Sequence, residues 1–280
     1  MSLETRIYRK ENNLKFGRLI KASFKDLIGS HFLAKQLAVR DIRSQYRQSY
    51  LGIIWAFITP LMTALVWVFL NNTGTVQLTD TGAPYPVFAF TGTLIWSIIT
   101  ESIHTPLTAT KGAKGILSKI NFPKEALILS GFYKLLFNSA IKVALLVFFV
   151  FAFGVGFHWY LLLFPLVLLV AILFGMTLGL FITPFGMLYN DVGKIISVGL
   201  GFLMYITPVV YAIPKAGFMK TIMELNPLTT LVVTSRNVVL GHPPAYLFNF
   251  LMILVVSFLL FFIALVFYRM SIPILVERNG

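Results

Sequence analysis

The chain has 280 residues, 58% of them hydrophobic and 12% charged, with a formal net charge of +13. A soluble domain carries about 25% charged and about 45–50% apolar residues, so the polar surface needed to cover a soluble core is missing. Cysteine is absent, which excludes disulfides and thiolate metal sites. Three charge-free runs, 48–79, 143–190 and 237–268, exceed the ~18 apolar residues that mark a membrane span.

Residues 1–50 carry eleven Lys and Arg and no uninterrupted apolar core, which reads as cytoplasmic and interfacial rather than as a cleavable signal. Within 14–29, Phe16, Ile20, Phe24, Leu27 and Ile28 recur at helical spacing, with Lys15, Arg18, Lys21 and Lys25 on the other side. That pattern predicts an amphipathic helix lying in a membrane interface. Gly29 breaks it, and Ser30 can cap a second helix running to Gln48.

Residues 51–280 read as one all-α membrane domain with six transmembrane helices, at about 51–70, 86–106, 132–153, 160–182, 195–211 and 246–268. The Pro- and Gly-rich stretch 212–245 is too interrupted for a crossing, and Arg236 sits too centrally in its apolar part. It is expected to form a half-inserted helical pair on the outer face, between spans five and six. With both termini inside, nineteen basic residues fall on the cytoplasmic side and three outside, Lys215, Lys220 and Arg236, with Lys142 inside the third span. That asymmetry fixes the orientation and also accounts for the basic net charge without a nucleic-acid partner.

Catalytic chemistry is hard to place on this chain. The phosphate-binding pattern G-x-x-x-x-G-K-[ST] does not occur, and Gly112-Ala-Lys-Gly115 lacks the Gly-Lys-Ser/Thr that would complete it. The four histidines are scattered, without ligand spacing. A membrane-embedded glycosyltransferase would want paired carboxylates at a water boundary, and only Glu101 and Asp191 lie near or within spans. The chain is therefore expected to bind and conduct, with no catalytic residues, metal or cofactor of its own. Ala171, Gly175 and Gly179 form a small-residue ridge suited to close helix packing within the subunit.

Three stretches carry a family likeness: RDIRSQYRQSYLGIIWAFITPL at 40–61, LSKINFPKEALILS at 117–130, and residues 189–241 with YNDVGKI, MYITPVVY and ELNPLTTLVVTSRNVVLG. In this order they resemble the permease subunits of ATP-binding-cassette polysaccharide exporters, which handle O-antigen, capsular polysaccharide and teichoic acid. The resemblance implies a homodimer in the bacterial inner membrane. Two copies of a separate ATPase, which binds the ATP and Mg, would dock beneath it. A glycan on polyprenyl pyrophosphate would pass through a continuous channel. A related exporter of small lipids or drugs would share this architecture.

Candidate site residues follow. Arg40, Arg43 and Arg47 share one helix face and suit phosphate, either the lipid pyrophosphate or membrane headgroups, worth about 1 kcal/mol per basic residue. Glu101 and Lys142 are intramembrane charges, expected to pair or to line the channel. Trp55, Phe202 and Tyr205 are channel candidates, because aromatic faces stack on sugar rings. Ser118, Asn121, Phe122, Pro123, Lys124 and Glu125 form the expected coupling loop to the ATPase, with Phe122 exposed between two lysines as the docking ring.

Overall fold

The computed structural model describes residues 16–47, 50–74, 83–117, 119–120 and 122–279, and these are helical with no strand among them. Two basic helices come first among the described residues, α1 (Phe16–Gly29) and α2 (His31–Arg47), with only Ser30 between them. The apolar face of α1 is incompletely covered: Phe24 is 48% and Ile28 61% exposed.

A single 3-10 turn, Gly52–Ile54, leads into α3 (Trp55–Asn72). Then come α4 (Tyr85–Gly112), the short α5 (Lys114–Leu117), α6 (Glu125–Ala152), α7 (Phe164–Leu188) and α8 (Asp191–Tyr205). A short pair, α9 (Phe218–Leu225) and α10 (Pro227–Val239), precedes the last helix, α11 (Leu247–Asn279). Among the described residues, five stretches are long and apolar enough to cross a membrane: Gly52–Leu70, Tyr85–Gly112, Glu125–Ala152, Trp159–Leu188 and Leu247–Glu277.

The bundle is built around α4, which packs against α3, α6, α7 and α10. Close approach of α4 and α7 depends on the glycine ridge. A Cβ on Gly175 would sit 2.5 Å from Ser102 Cβ, and one on Gly179 would strike the Ile103 carbonyl. Ala171 beside them is fully buried. The ridge is thus used inside the chain, as its spacing suggested.

The sequence differs most from the structure at the expected fifth span. Helix α8 has 15 residues, about 22 Å at 1.5 Å per residue, against a hydrocarbon core of about 30 Å. Pro208 explains the stop: it has no N–H to donate and disfavours helix at the residue before it. Thr207 instead turns its hydroxyl back onto the Leu203 carbonyl at 2.8 Å. The non-helical continuation 207–210 is buried. From Asn190 to Val210 the chain nevertheless follows α4 from end to end: Lys111 donates to Asn190 (3.5 Å), Ser197 meets His104 (3.2 Å), and Tyr85 donates to the Val210 carbonyl (3.1 Å).

The helical pair expected in 212–245 is present as α9 and α10. Its joint is Asn226, whose side chain accepts from Leu228 N–H at 3.0 Å and donates to Thr207 at 2.9 Å. From α10 the buried Arg236 donates to the carbonyls of Pro208 (2.9 Å) and Val209 (2.6 Å) and lies 3.6 Å above the Phe88 ring. Non-helical backbone at membrane depth persists only where protein satisfies its polar groups, and Arg236 satisfies two of them. Gly92 leaves the room, because a Cβ there would run into the Val209 carbonyl.

Candidate functional site

A crevice of about 380 Å³ with polar side chains in its wall opens between α3, α4 and α6, and the end of α2 lines it as well. Helix α3 contributes Trp55, Thr59 and Thr63, and α4 contributes Thr93, Ser97 and Glu101. Asn138 and Lys142 come from α6, and Gln45 and Tyr46 from the end of α2. Trp55 keeps 51% of its surface exposed. Its hydrophobic neighbours on α3 are largely uncovered too, among them Met62, Leu65, Val66 and Phe69.

Glu101 is the centre of the crevice. Lys142 Nζ donates to its Oε2 at 2.8 Å and Asn138 Nδ2 to its Oε1 at 2.6 Å. The pair is mostly withdrawn from solvent, with side-chain exposures of 15% for Lys142 and 30% for Glu101. The two intramembrane charges therefore both pair and line a cavity. Burial, and then the Glu101 carboxylate, push the Tyr46 hydroxyl above its ordinary range, so it stays protonated.

A second cavity of about 210 Å³ shares Glu101 and is lined also by Asp41, His104, Thr105, Thr108 and Lys134. Helix α2 thus turns Asp41, Gln45 and Tyr46 toward a polar seam. Arg40, Arg43 and Arg47 are exposed. Arg40 is held by Asp41 at 2.7 Å, whereas Arg43 and Arg47 make no ion pair among the described residues. A free cationic face suits phosphate far better at these two positions than at Arg40.

The other channel candidates lie apart from the crevice. Phe202 and Tyr205 are each 68% exposed on α8, and no residue of α8 lines the crevice. Tyr211 donates to the Tyr205 carbonyl at 2.5 Å, which ties the end of α8 to the segment that follows it. Only Leu200 of α8 is buried, so the helix presents an aromatic face with nothing on it.

The expected coupling loop is only partly as its sequence suggested. Ser118 and Asn121 lie outside the described residues. Phe122 is half-buried and packs against the core instead of standing exposed between the lysines. Ile120, 60% exposed, is the uncovered apolar residue of this loop. Pro123 and Lys124 are half-buried as well, and burial pushes the Lys124 ammonium down, while Glu125 acts against that shift. Glu125 itself is 1% exposed. It points inward to Arg269, whose Nη1 donates to Glu125 Oε1 and to Asp26 Oδ2, each at 2.7 Å. That triad ties α1, the start of α6 and α11 together. Sequence reasoning missed it, since the partners stand 144 and 243 residues from Arg269 and no local spacing relates them.

Residues 33–240 match the ABC-2 type transporter family. The chain belongs to this family. The match takes in α2 through α10, hence the whole crevice and Arg236, and leaves α1, α11 and most of the Arg269 triad outside. Among curated proteins, the chain is similar to the O-antigen export system permease protein RfbA of Myxococcus xanthus, 27% identical over 209 residues. That alignment covers 74% of this chain and 79% of the relative. A protein of the same name from Klebsiella pneumoniae is 24% identical over 206 residues, covering 71% of this chain and 76% of the relative. The chain is thus an ABC-2 transporter permease, and its relatives serve O-antigen export.

Proposed function

We propose that this ABC-2 permease forms the membrane channel of an ATP-driven exporter. Its cargo is a polyprenyl-pyrophosphate-linked polysaccharide of the O-antigen type, carried across the bacterial inner membrane. The observation that carries the reading is the similarity to two O-antigen export permeases over more than two thirds of each chain. In this reading the energy comes from a separate ATPase, which binds ATP and Mg, as membership of an ABC-2 transporter family implies.

The proposed unit is a homodimer with two ATPase copies beneath it. The uncovered faces of α3 and α8 are consistent with a second copy, and Phe202 and Tyr205 on α8 then line the glycan path. We count six crossings, the fifth made by α8 together with the buried segment after it, since that stretch accompanies α4 over its full length. An even number puts both termini on one side, and the Lys and Arg distribution makes that side cytoplasmic. Helix α1, with lysines on one side and uncovered Phe24 and Ile28 on the other, lies in the inner interface, where Arg43 and Arg47 meet headgroup or substrate phosphate.

The test is genetic and chemical. Deleting the gene in its host should strip the long-chain glycan from the cell surface and accumulate the lipid-linked form inside. Undiminished surface glycan with an unchanged inner pool would sink the proposal.

A further inference from the structure

The crevice wall carries hydrogen-bonding groups of both kinds and charges that cancel. Thr59 donates to the Trp55 carbonyl (3.1 Å), Thr63 to that of Thr59 (3.0 Å), Thr93 to that of Ala89 (2.9 Å) and Ser97 to that of Leu94 (2.8 Å). A hydroxyl has one proton and two lone pairs, so each has committed its proton to its own helix and offers only an acceptor to the cavity. Glu101, when ionised, is an acceptor as well. Against these acceptors stand donors from uncharged groups, namely the Trp55 indole N–H, the Tyr46 hydroxyl and the amide N–H groups of Gln45 and Asn138, together with one cation, Lys142, whose charge Glu101 already offsets at 2.8 Å.

Such a wall discriminates between ligand chemistries. A pyrophosphate carries negative charge, and it would meet a carboxylate and a lysine that this carboxylate already neutralises. A lipid tail would offer nothing to these donors and acceptors and would keep water from them. An uncharged, hydroxyl-rich ligand, whose every hydroxyl both donates and accepts, matches both sets of groups. Trp55, half-exposed at the rim, adds a flat ring for the C–H face of a pyranose. The volume of about 380 Å³ lies within the range of small-molecule sites, roughly 300–1,000 Å³.

We propose that the crevice is a sugar-binding subsite that takes a short stretch of the glycan through its hydroxyl groups and excludes the pyrophosphate. This assignment rests on the export reading above. It separates two tasks along α2: Gln45 and Tyr46 face the sugar crevice, while the phosphate falls to exposed arginines outside it.

Two probes decide the matter, farnesyl pyrophosphate and farnesyl pyrophosphate carrying a single hexose, titrated by calorimetry into the purified permease in nanodiscs. The wild type should bind the hexose-bearing probe at least tenfold more tightly than the bare one. Trp55→Leu, and Thr59→Val combined with Ser97→Ala, should erase that preference without weakening the bare probe, and Trp55→Tyr should retain most of it. Equal binding of both probes by the wild type would overturn the subsite. So would a preference that survives both Trp55→Leu and the hydroxyl pair. Binding of neither probe would also overturn it. The deletion phenotype is read independently, so lost surface glycan with equal probe binding would reject the crevice assignment and leave the export reading standing.

Discussion

Lys142 Nζ lies 2.8 Å from Glu101 Oε2 and so bonds α6 to α4 across 41 residues of sequence. The contact is charge-assisted, and Asn138 holds the other carboxylate oxygen at 2.6 Å, so the acid is fixed from both sides. Partial exposure of both partners limits its worth, because water still screens the pair.

Removing one partner should nonetheless hurt more than removing both. Lys142→Met leaves a half-buried carboxylate facing Asn138 alone, and Glu101→Gln leaves an ammonium without a counter-charge. Each single change should lower the stability of the detergent-solubilised permease by about 1–3 kcal/mol. The double variant should lose less than the sum of the two, with a coupling of about 0.5–3 kcal/mol. Strict additivity in thermal unfolding would show that the pair does not act as a unit.

Arg236 gives a second expectation. Its guanidinium serves the carbonyls of Pro208 and Val209 and rests on Phe88. Arg236→Met would orphan both carbonyls where no water competes, at a cost of several kcal/mol, so the yield of monodisperse protein should collapse. Arg236→Lys keeps the charge but loses the planar fork and the ring contact, and should give an intermediate yield. Gly92→Ala forces the Val209 carbonyl away and should resemble Arg236→Lys with the arginine still present. A wild-type yield in all three would show that the joint between α8 and α10 does not depend on this residue.

Much of this architecture was legible in the sequence because it is local. The amphipathic period of α1, the charge-free runs and the glycine ridge of α7 all read correctly, each being a pattern within one helix. The short pair α9 and α10 was legible too, from Pro and Gly. The fifth span was not fully so. An apolar run continues past Tyr205, but the break at Pro208 is stabilised by Arg236 and Tyr85 from distant elements, and no window of sequence contains those contacts. The burial of Phe122 and Glu125 was not legible for a related reason. Phe122 between two lysines looks exposed, and Glu125 looks like a surface acid at a helix start. Only the arrival of Arg269 and Asp26 from the two ends of the chain turns both inward.

The Asp26–Arg269–Glu125 triad yields a third expectation. One nitrogen, Arg269 Nη1, serves both acids at 2.7 Å, so the three helices it joins should loosen together. Glu125→Gln keeps a hydrogen-bond acceptor but loses charge, and Asp26→Asn does the same from α1. In either variant, limited proteolysis should cut residues 16–29 several times faster than in the wild type. Arg269→Lys, which reaches only one acid well, should match the two. Unchanged cleavage in all three would mean that α1 is held by its apolar contacts, such as Phe24 with Phe262, rather than by the triad.

The last expectation concerns the ATPase in the proposed complex. The loop between α5 and α6 offers Ile120, 60% exposed, beside the exposed Lys119, whereas Phe122 belongs to the permease's own packing. The two residues should therefore separate docking from stability. An exposed apolar side chain that a partner buries is a typical source of binding energy, and a carboxylate in its place would be desolvated without a counter-charge. Ile120→Glu should lower ATPase co-purification at least tenfold and stop export while leaving the permease's unfolding temperature unchanged. Phe122→Ala should act the other way, lowering the permease's own stability by about 1–3 kcal/mol, with docking reduced only as far as folded protein is lost. Normal co-purification with Ile120→Glu would move the docking surface off this residue. The exposed Asp191 and Lys194 at the start of α8, a second uncovered element at the same end of α4, would then be the next place to test.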